Sequence, residues 1–337
     1  MSNQRRIYLG GCCAVLALLL TFGPSSATAD TLYWSDKAAS KIYTSAPDGS
    51  GVTELLTSVD GLVDPRGIAL DVAGDKMYWA DNGTGTIHRA DLDGQNRQTL
   101  HSGLQFPADV TLDLAGGKVY WVDRDAGRIQ RKNLDGTGAV DDVVTGILQP
   151  YYLALDTAAN KVYWTEFGGG GVNSAIRRAD IGVPGTAEVF ISGLERPRGV
   201  KLDLADGKVY WAERGAAPAI KRHNLDGAGT PEILFDAADG LVRPHGIELD
   251  LDAGVIYWTD TTTASASRGA MDGGGTVDRL VSGLIDPWDV ALAVPEPSSG
   301  LLAGMAAIVG LICTRWRRTR PRRERSMNAA ARAARGF

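Results

Sequence analysis

Between residues 14 and 312 the chain has no cysteine; its three, Cys12, Cys13 and Cys313, lie near the two ends. Disulfides and thiolate chemistry are therefore excluded from the interior of the chain. Histidine is scarce: His88, His101, His223 and His245 are the four, and they fall at unrelated positions. They offer neither a His-x-x-x-His or His-Glu spacing for zinc nor a Ser-His-Asp order for nucleophilic catalysis. The run Gly168–Gly171 lacks phosphate-loop spacing. Positive charge is also short. Residues 30–294 carry 24 Lys and Arg against 38 Asp and Glu, a net charge of −14. An acidic domain repels nucleic acid and anionic lipid, which leaves basic or cation-bridged ligands as the better fit.

The apolar runs lie at the ends. Residues 1–29 read as a secretory signal: Arg5 and Arg6, an apolar stretch from Ile7 to Phe22, then Ala27-Thr28-Ala29 before Asp30. At the other end, Val294-Pro295-Glu296-Pro297-Ser298-Ser299 precedes an apolar segment from Gly300 to Cys313 and a cluster of arginines from Arg315 to Arg325. An apolar segment with arginines on one side inserts with them in the cytoplasm. This stretch resembles the PEP-CTERM sorting signal of Gram-negative bacteria in all three parts: the box Pro295, Glu296, Pro297, the hydrophobic helix and the Arg cluster. The resemblance implies processing by an exosortase-type membrane enzyme and delivery to the envelope or extracellular matrix. The expected organisation is a signal at 1–29, a folded domain at 30–294, the sorting signal with a transmembrane helix at 295–325, and a cytoplasmic tail at 326–337.

What fills residues 30–294 is a repeat. One phrase occurs six times: around Tyr33-Trp34, Tyr78-Trp79, Tyr120-Trp121, Tyr163-Trp164, Tyr210-Trp211 and Tyr257-Trp258. Successive Tyr residues stand 45, 42, 43, 47 and 47 positions apart, a period that marks a repeat array. In the third repeat a Pro-entered strand (Pro107 to Asp113) is followed by a turn, the Tyr-Trp strand, a strand from Arg128, the turn Asn133-Leu134-Asp135-Gly136 and a fourth strand at Val140 to Val144. Short β-rich runs between Gly, Asp and Asn turns predict a four-stranded antiparallel sheet.

The Tyr-Trp strand decides how the sheets pack. With side chains alternating, Val119 and Trp121 face one way and Tyr120 and Val122 the other, so both faces are apolar. A sheet apolar on both faces needs a neighbour on each side, which sheets stacked radially in a β-propeller provide. The ends supply the closure. Residues 31–34 open directly on a Tyr-Trp strand with no Pro-entered strand ahead of it, and Pro287 to Leu292 is a Pro-entered strand with no Tyr-Trp after it. The fold class is thus all-β: a six-bladed β-propeller of four-stranded antiparallel blades, its ring closed by the C-terminal strand joining the N-terminal strands. With these features the six Tyr-Trp-x-Asp/Glu repeats resemble the YWTD propellers of low-density-lipoprotein receptors and their bacterial relatives, without the receptors' cysteine-rich flanking modules.

Most acidic residues recur in nearly every repeat and so read as structural. Asp36, Asp81, Asp123, Glu166, Glu213 and Asp260 close the Tyr-Trp strands, and Arg89, Arg131, Arg178, Arg222 and Arg268 on the next strand are expected to pair with them. Asp71, Asp113, Asp156, Asp203 and Asp250 end the Pro-entered strands and are expected to cap turns; calcium is the less favoured use of such a ring. Asp-Gly at Asp48, Asp93, Asp135, Asp226 and Asp272 predicts hairpin turns.

Variation, not repetition, carries the functional signal. After the Pro of each inner strand stand Arg66, Ala108, Tyr151, Arg198, His245 and Trp288, which this topology places at one mouth of the central channel. Tyr, Trp and Arg are the types enriched at binding hot spots. The expectation is an exported, surface- or matrix-associated binding or scaffold protein, with no required cofactor, that uses Arg66, Tyr151, Arg198, His245 and Trp288 to hold a protein or polysaccharide. The alternative is a channel-centred, lactonase-like metal-dependent hydrolase or lyase with His245 as base, which needs several carboxylates converging over the channel.

Overall fold

A computed structural model describes residues 30–168 and 174–294. The expected signal at 1–29, the sorting box Pro295, Glu296 and Pro297 with its helix and tail, and residues 169–173 lie outside the described residues. Among the described residues, no helix is long and apolar enough to cross a membrane.

The described residues form six four-stranded antiparallel sheets. Blade 1 comprises Pro65–Asp71, Lys76–Asp81, Thr86–Asp91 and Gln98–Ser102, from the axis outwards; blade 2 comprises Pro107–Asp113, Lys118–Asp123, Arg128–Asn133 and Asp141–Thr145. Blade 3 is Pro150–Asp156, Lys161–Glu166, Ser174–Asp180 and Glu188–Leu194, and blade 4 is Pro197–Asp203, Lys208–Glu213, Ala219–Asn224 and Glu232–Asp236. Blade 5 runs through Pro244–Asp250, Val255–Asp260, Ser265–Ala270 and Asp278–Ser282. Blade 6 is the composite: its inner strand Pro287–Ala293 pairs with Thr31–Asp36, which continues to Lys41–Ser45 and Thr53–Leu56. The ring is closed by hydrogen bonds between the two ends of the domain, as the half-repeats predict.

Packing follows the alternation within the Tyr-Trp strand. Val119 and Trp121 join Tyr78, Ala80 and Ile87 of blade 1, whereas Tyr120 and Val122 join Leu153, Val162 and Trp164 of blade 3. All six of these indoles are at most 2% exposed. Each contributes roughly 4–6 kcal/mol of transfer free energy on burial, from about 150–250 Å² at about 25 cal/mol per Å². The interblade core is therefore the main stabilising element.

Turn chemistry matches the residue types. Asp71 and Asp113 accept the N–H of Gly74 and Gly116, both at 2.8 Å, and Asp93 and Asp135 accept the N–H two residues on, at 2.9 and 2.8 Å. Gly94 and Gly136 follow with φ of 84° and 80°, the left-handed conformation a side chain would strain.

One expectation needs correction. Asp123 and Glu166 pair with other third-strand arginines, Arg128 (3.2 Å) and Arg177 (2.9 Å), while the five arginines expected to pair with the acids stand elsewhere, as where Tyr78 opposes Arg89, Tyr120 opposes Arg131 and Tyr163 opposes Arg178. Their charge is met by the outermost strand, as in Arg178–Glu188 (2.6 Å) and Arg222–Glu232 (2.7 Å). Some also bridge blades: Arg89 donates to the Leu134 carbonyl at 2.7 Å and Arg222 to the Met271 carbonyl at 2.9 Å. The strand-closing acids also take backbone partners. Asp81 accepts the N–H groups of Val63 and Asp64 (2.9 and 3.2 Å), Asp123 those of Gln105 and Phe106 (3.2 and 2.9 Å), Asp260 those of Val242 and Arg243 (2.8 and 2.9 Å). Asp36 does the same for Ile285 and Asp286 across the ring closure. The cause lies in the ladder. Asp81, Asp123 and Asp260 stand opposite the Pro that opens each inner strand, and the two N–H groups before that Pro precede the strand and so have no ladder partner. The acids thus fix the loops that form the channel mouth.

Candidate functional site

Those loops and the start of the inner strands enclose a cavity of about 510 Å³ at one end of the channel. Arg66 and Trp288 line it, as the sequence predicts. Tyr151, Arg198 and His245 pack beside or beneath the lining and are buried at 8%, 1% and 0% exposure, and Ala108 is buried as well.

What holds these residues is a ladder of cations and aromatic rings that crosses five blades. The Arg198 guanidinium lies 3.9 Å from the centre of the Tyr151 ring; Arg124 lies 5.3 Å from the same ring and 3.3 Å from Phe106. Arg66 sits 4.1 Å from both Phe106 and Trp288, and the Lys37 ammonium is 5.1 Å from Trp288. Each contact gains from the ring quadrupole, more so where water is excluded. Stacking also commits the guanidinium faces, so that oxygen acceptors must be met in the plane of the fork, the geometry that suits carboxylate, sulfate or phosphate.

Beneath the ladder, the Tyr152 hydroxyl and His245 Nδ1 lie 2.7 Å apart, and both reach the Trp288 carbonyl, at 3.0 and 3.1 Å. This fixes the backbone that carries the Trp288 ring. Burial, with Arg214, Arg198 and Arg66 nearby, pushes the His245 pKa well down, so its imidazole is neutral.

The local charge is opposite to that of the domain. Five cations line the cavity, Lys37, Arg66, Arg124, Arg214 and Arg243, against one carboxylate, Asp286, which Lys37 holds at 2.7 Å. Arg66 is paired with Asp64 at 2.8 Å and Arg124 with Asp125 at 2.7 Å. Among the described residues, Arg198, Arg214 and Arg243 have no carboxylate in salt-bridge range. Burial and the neighbouring Arg214 pull the Arg198 pKa down to about 9; burial and Arg243 lower that of Arg214. The Nε atoms of Arg66, Arg198 and Arg214 and the Trp288 Nε1 are buried with no acceptor. The preference for basic ligands drawn from net charge does not hold at this mouth, whose uncompensated charge is positive.

Lys37, Phe106, Arg124, Arg214 and Arg243 are the cationic and aromatic lining residues that the reading of the inner strands missed. They stand in two other registers of the repeat. Lys37, Arg124 and Arg214 each follow the acid that closes a Tyr-Trp strand, and Phe106 and Arg243 each precede an inner-strand Pro. Aligning the six copies on the acid and on the Pro would have found both. The carboxylates that a metal-centred hydrolase would need at the mouth are represented in the lining by Asp286 alone.

Comparison with known proteins adds a matched repeat, a matched sorting motif and a shared fold. Residues 75–114 match the low-density lipoprotein receptor repeat class B, and residues 293–318 match the PEP-CTERM protein-sorting motif. Mouse nidogen-2 is 36% identical over 69 residues, 20% of this chain, and mouse low-density lipoprotein receptor-related protein 5 is 35% identical over 69 residues. The matched stretches cover only 5% and 4% of those relatives. Among solved structures, a chain of a nidogen/laminin complex superimposes with a TM-score of 0.68 at 20% identity, over 79% of this chain and 99% of that one. TolB of Acinetobacter baumannii gives 0.62 at 16% identity over 82% and 69%, and a gluconolactonase of Xanthomonas campestris 0.56 at 14% over 67% and 78%. At such identities these likenesses establish the fold alone. The described residues thus form a six-bladed β-propeller in which residues 75–114 match the low-density lipoprotein receptor repeat class B, and residues 293–318 match the PEP-CTERM protein-sorting motif.

Proposed function

We propose that this chain is an exported binding protein of the Gram-negative envelope or matrix, and that the channel mouth receives an oxyanion-bearing segment of its partner. The observation that carries the reading is the set of three guanidiniums, Arg198, Arg214 and Arg243, held at the mouth without carboxylate partners beside a stacked ladder that orients Arg66 and Arg124. Arg198 is buried and Arg214 half-buried, while Arg243 stands exposed at the rim; a buried charge is costly unless compensated, and an anion in the cavity would supply the compensation. The sorting motif supports the rest: recognition by an exosortase-type enzyme, transient anchoring in the inner membrane through the segment after Pro297, and release to the surface. Likeness to a chain of a nidogen/laminin complex supports a protein as the partner, and the cationic mouth would also accept an acidic polysaccharide.

Isothermal titration of the full-length protein in detergent tests this, with poly-glutamate in one arm, polygalacturonate in a second and poly-lysine in a third. Saturable binding of either polyanion, lost in Arg214→Ala/Arg243→Ala, supports the reading, and the stronger arm assigns the source. Binding of poly-lysine in preference to both polyanions would sink it.

A further inference from the structure

One residue deeper than the mouth ring, two inner strands carry a buried carboxylate: Asp109 on blade 2 and Asp289 on blade 6, at 4% and 2% exposure. They occupy equivalent positions in their strands, and the equivalent residues on blades 1, 4 and 5 are Gly67, Gly199 and Gly246. The glycines make room. A methyl group at Gly67 would collide with Asp109 Oδ1, and one at Gly246 with Asp289 Oδ1. Each carboxylate also accepts one backbone N–H from the next inner strand, Asp109 that of Leu153 at 2.9 Å and Asp289 that of Ile68 at 3.0 Å. Asp109 therefore abuts Gly67 while Asp289 is bonded to Ile68, so the two carboxylates converge on consecutive residues of the same strand. Two buried carboxylates so placed cannot both ionise without large repulsion.

The groups around them come from every other inner strand. Arg66 stands on blade 1, Tyr152 on blade 3, Arg198 and Lys201 on blade 4, and His245 and Glu248 on blade 5. Lys201 pairs with Glu248 at 2.8 Å and its charge also lowers both carboxyls, against the larger effect of burial, while His245 is neutral. Asp289 Oδ1 has no hydrogen-bond partner. Burial, together with the opposing Asp289, raises the Asp109 carboxyl well above the carboxylate range; burial is also the largest influence on Asp289, whose pKa is raised to about 7.

We propose that the Asp109–Asp289 pair gates the mouth: it holds a shared proton when the mouth takes an anion, and loss of that proton puts a negative charge directly behind Trp288 and Arg66 and loosens the anion. The gate rests on the anion-binding reading above, but the proton pair itself does not. Charge is the mechanism. Neither carboxylate touches the ligand; each acts through the field at the cavity floor, in a medium where water is largely excluded.

Two measurements on the full-length protein in detergent test it. In the first, a sulfated disaccharide, whose charge is constant over the range, is titrated between pH 5.5 and 8. Affinity is expected to fall roughly tenfold as pH rises, for one added charge at the cavity floor, whereas Asp289→Asn and Asp109→Asn keep the low-pH affinity throughout. In the second, infrared titration without ligand follows the protonated carboxyl band, which should bleach near neutral pH in the wild type and be absent or shifted in Asp289→Asn. Disaccharide binding with a flat profile overturns the gate while leaving the anion site standing. A neutral-pH carboxyl band with no disaccharide binding at any pH overturns the anion site and the gate with it, and leaves only the shared proton; absence of the band overturns the pair itself.

Discussion

The guanidinium of Arg66 lies 4.1 Å above the ring of Trp288, although 222 positions of sequence separate the two residues. Blade 1 and the strand that closes blade 6 meet at this contact, so the mouth of the channel is assembled only when the ring closes. The charge of Arg66 is fixed on both faces, by Trp288 and by Phe106, and its Nη2 is held by Asp64. A flexible cation would lose conformational freedom on binding; this one has already lost it.

Arg66→Lys keeps the charge but removes the planar fork and most of the stacking. Polyanion affinity is expected to fall about tenfold or more, since a compact ammonium cannot reproduce a bidentate, stacked guanidinium. Titration calorimetry beside a thermal melt checks it: a loss of affinity with a nearly unchanged melting temperature is the expected pattern.

Asp81→Ala takes one acceptor from the N–H groups of Val63 and Asp64 at once. Leaving two partly buried donors unmatched should cost about 2–6 kcal/mol, at roughly 1–3 kcal/mol for each unsatisfied group. Asp81→Asn retains an acceptor and should cost less. Denaturant melts give both values, and hydrogen exchange should place the loosening at residues 62–64.

Deletion of residues 287–294 removes the inner strand of blade 6 and bares the edge of Thr31–Asp36. The expected result is loss of cooperative unfolding for the whole ring, not of one blade, because each Trp face depends on its neighbour. A separate peptide of residues 285–294 added in trans should restore part of the cooperativity, which circular dichroism melts would read.

Stability should depend on pH through the channel pair. For an acid whose folded pKa is raised above its unfolded value, the protonated form is favoured by folding. The penalty is absent below about pH 4 and grows as pH rises toward the folded pKa of Asp289, about 7. Asp289→Asn, which cannot ionise, should therefore gain melting temperature relative to the wild type between pH 5 and 8. A difference that is constant with pH would count against the assignment.

Much of the fold was legible because its determinants are local. The alternation Val119-Tyr120-Trp121-Val122 shows two apolar faces without reference to the rest of the chain, and Asp135-Gly136 or Asp71 specify turns within a few residues. The partners of the acids and arginines were not legible, because they depend on register. Both Asp123 and Tyr120 lie on the strand beside Arg131, and only the ladder shows that Tyr120 stands opposite it. Of the five mouth residues read from the inner strands, Arg66 and Trp288 reach the cavity, while Tyr151, Arg198 and His245 support it from below.

The sequence by itself determined the number of blades, the order of strands within them and the closure of the ring, since period-two alternation, turn residues and two complementary half-repeats are written in neighbouring residues. Only the tertiary structure decided the sign of the charge at the mouth. A net charge of −14 is an average over residues 30–294, and an electrostatic field depends on where charges stand, not on their sum. Folding carries most acids into turns, strand ends and outer-strand pairs and gathers Lys37, Arg66, Arg124, Arg214 and Arg243, from five separate stretches of chain, around one cavity.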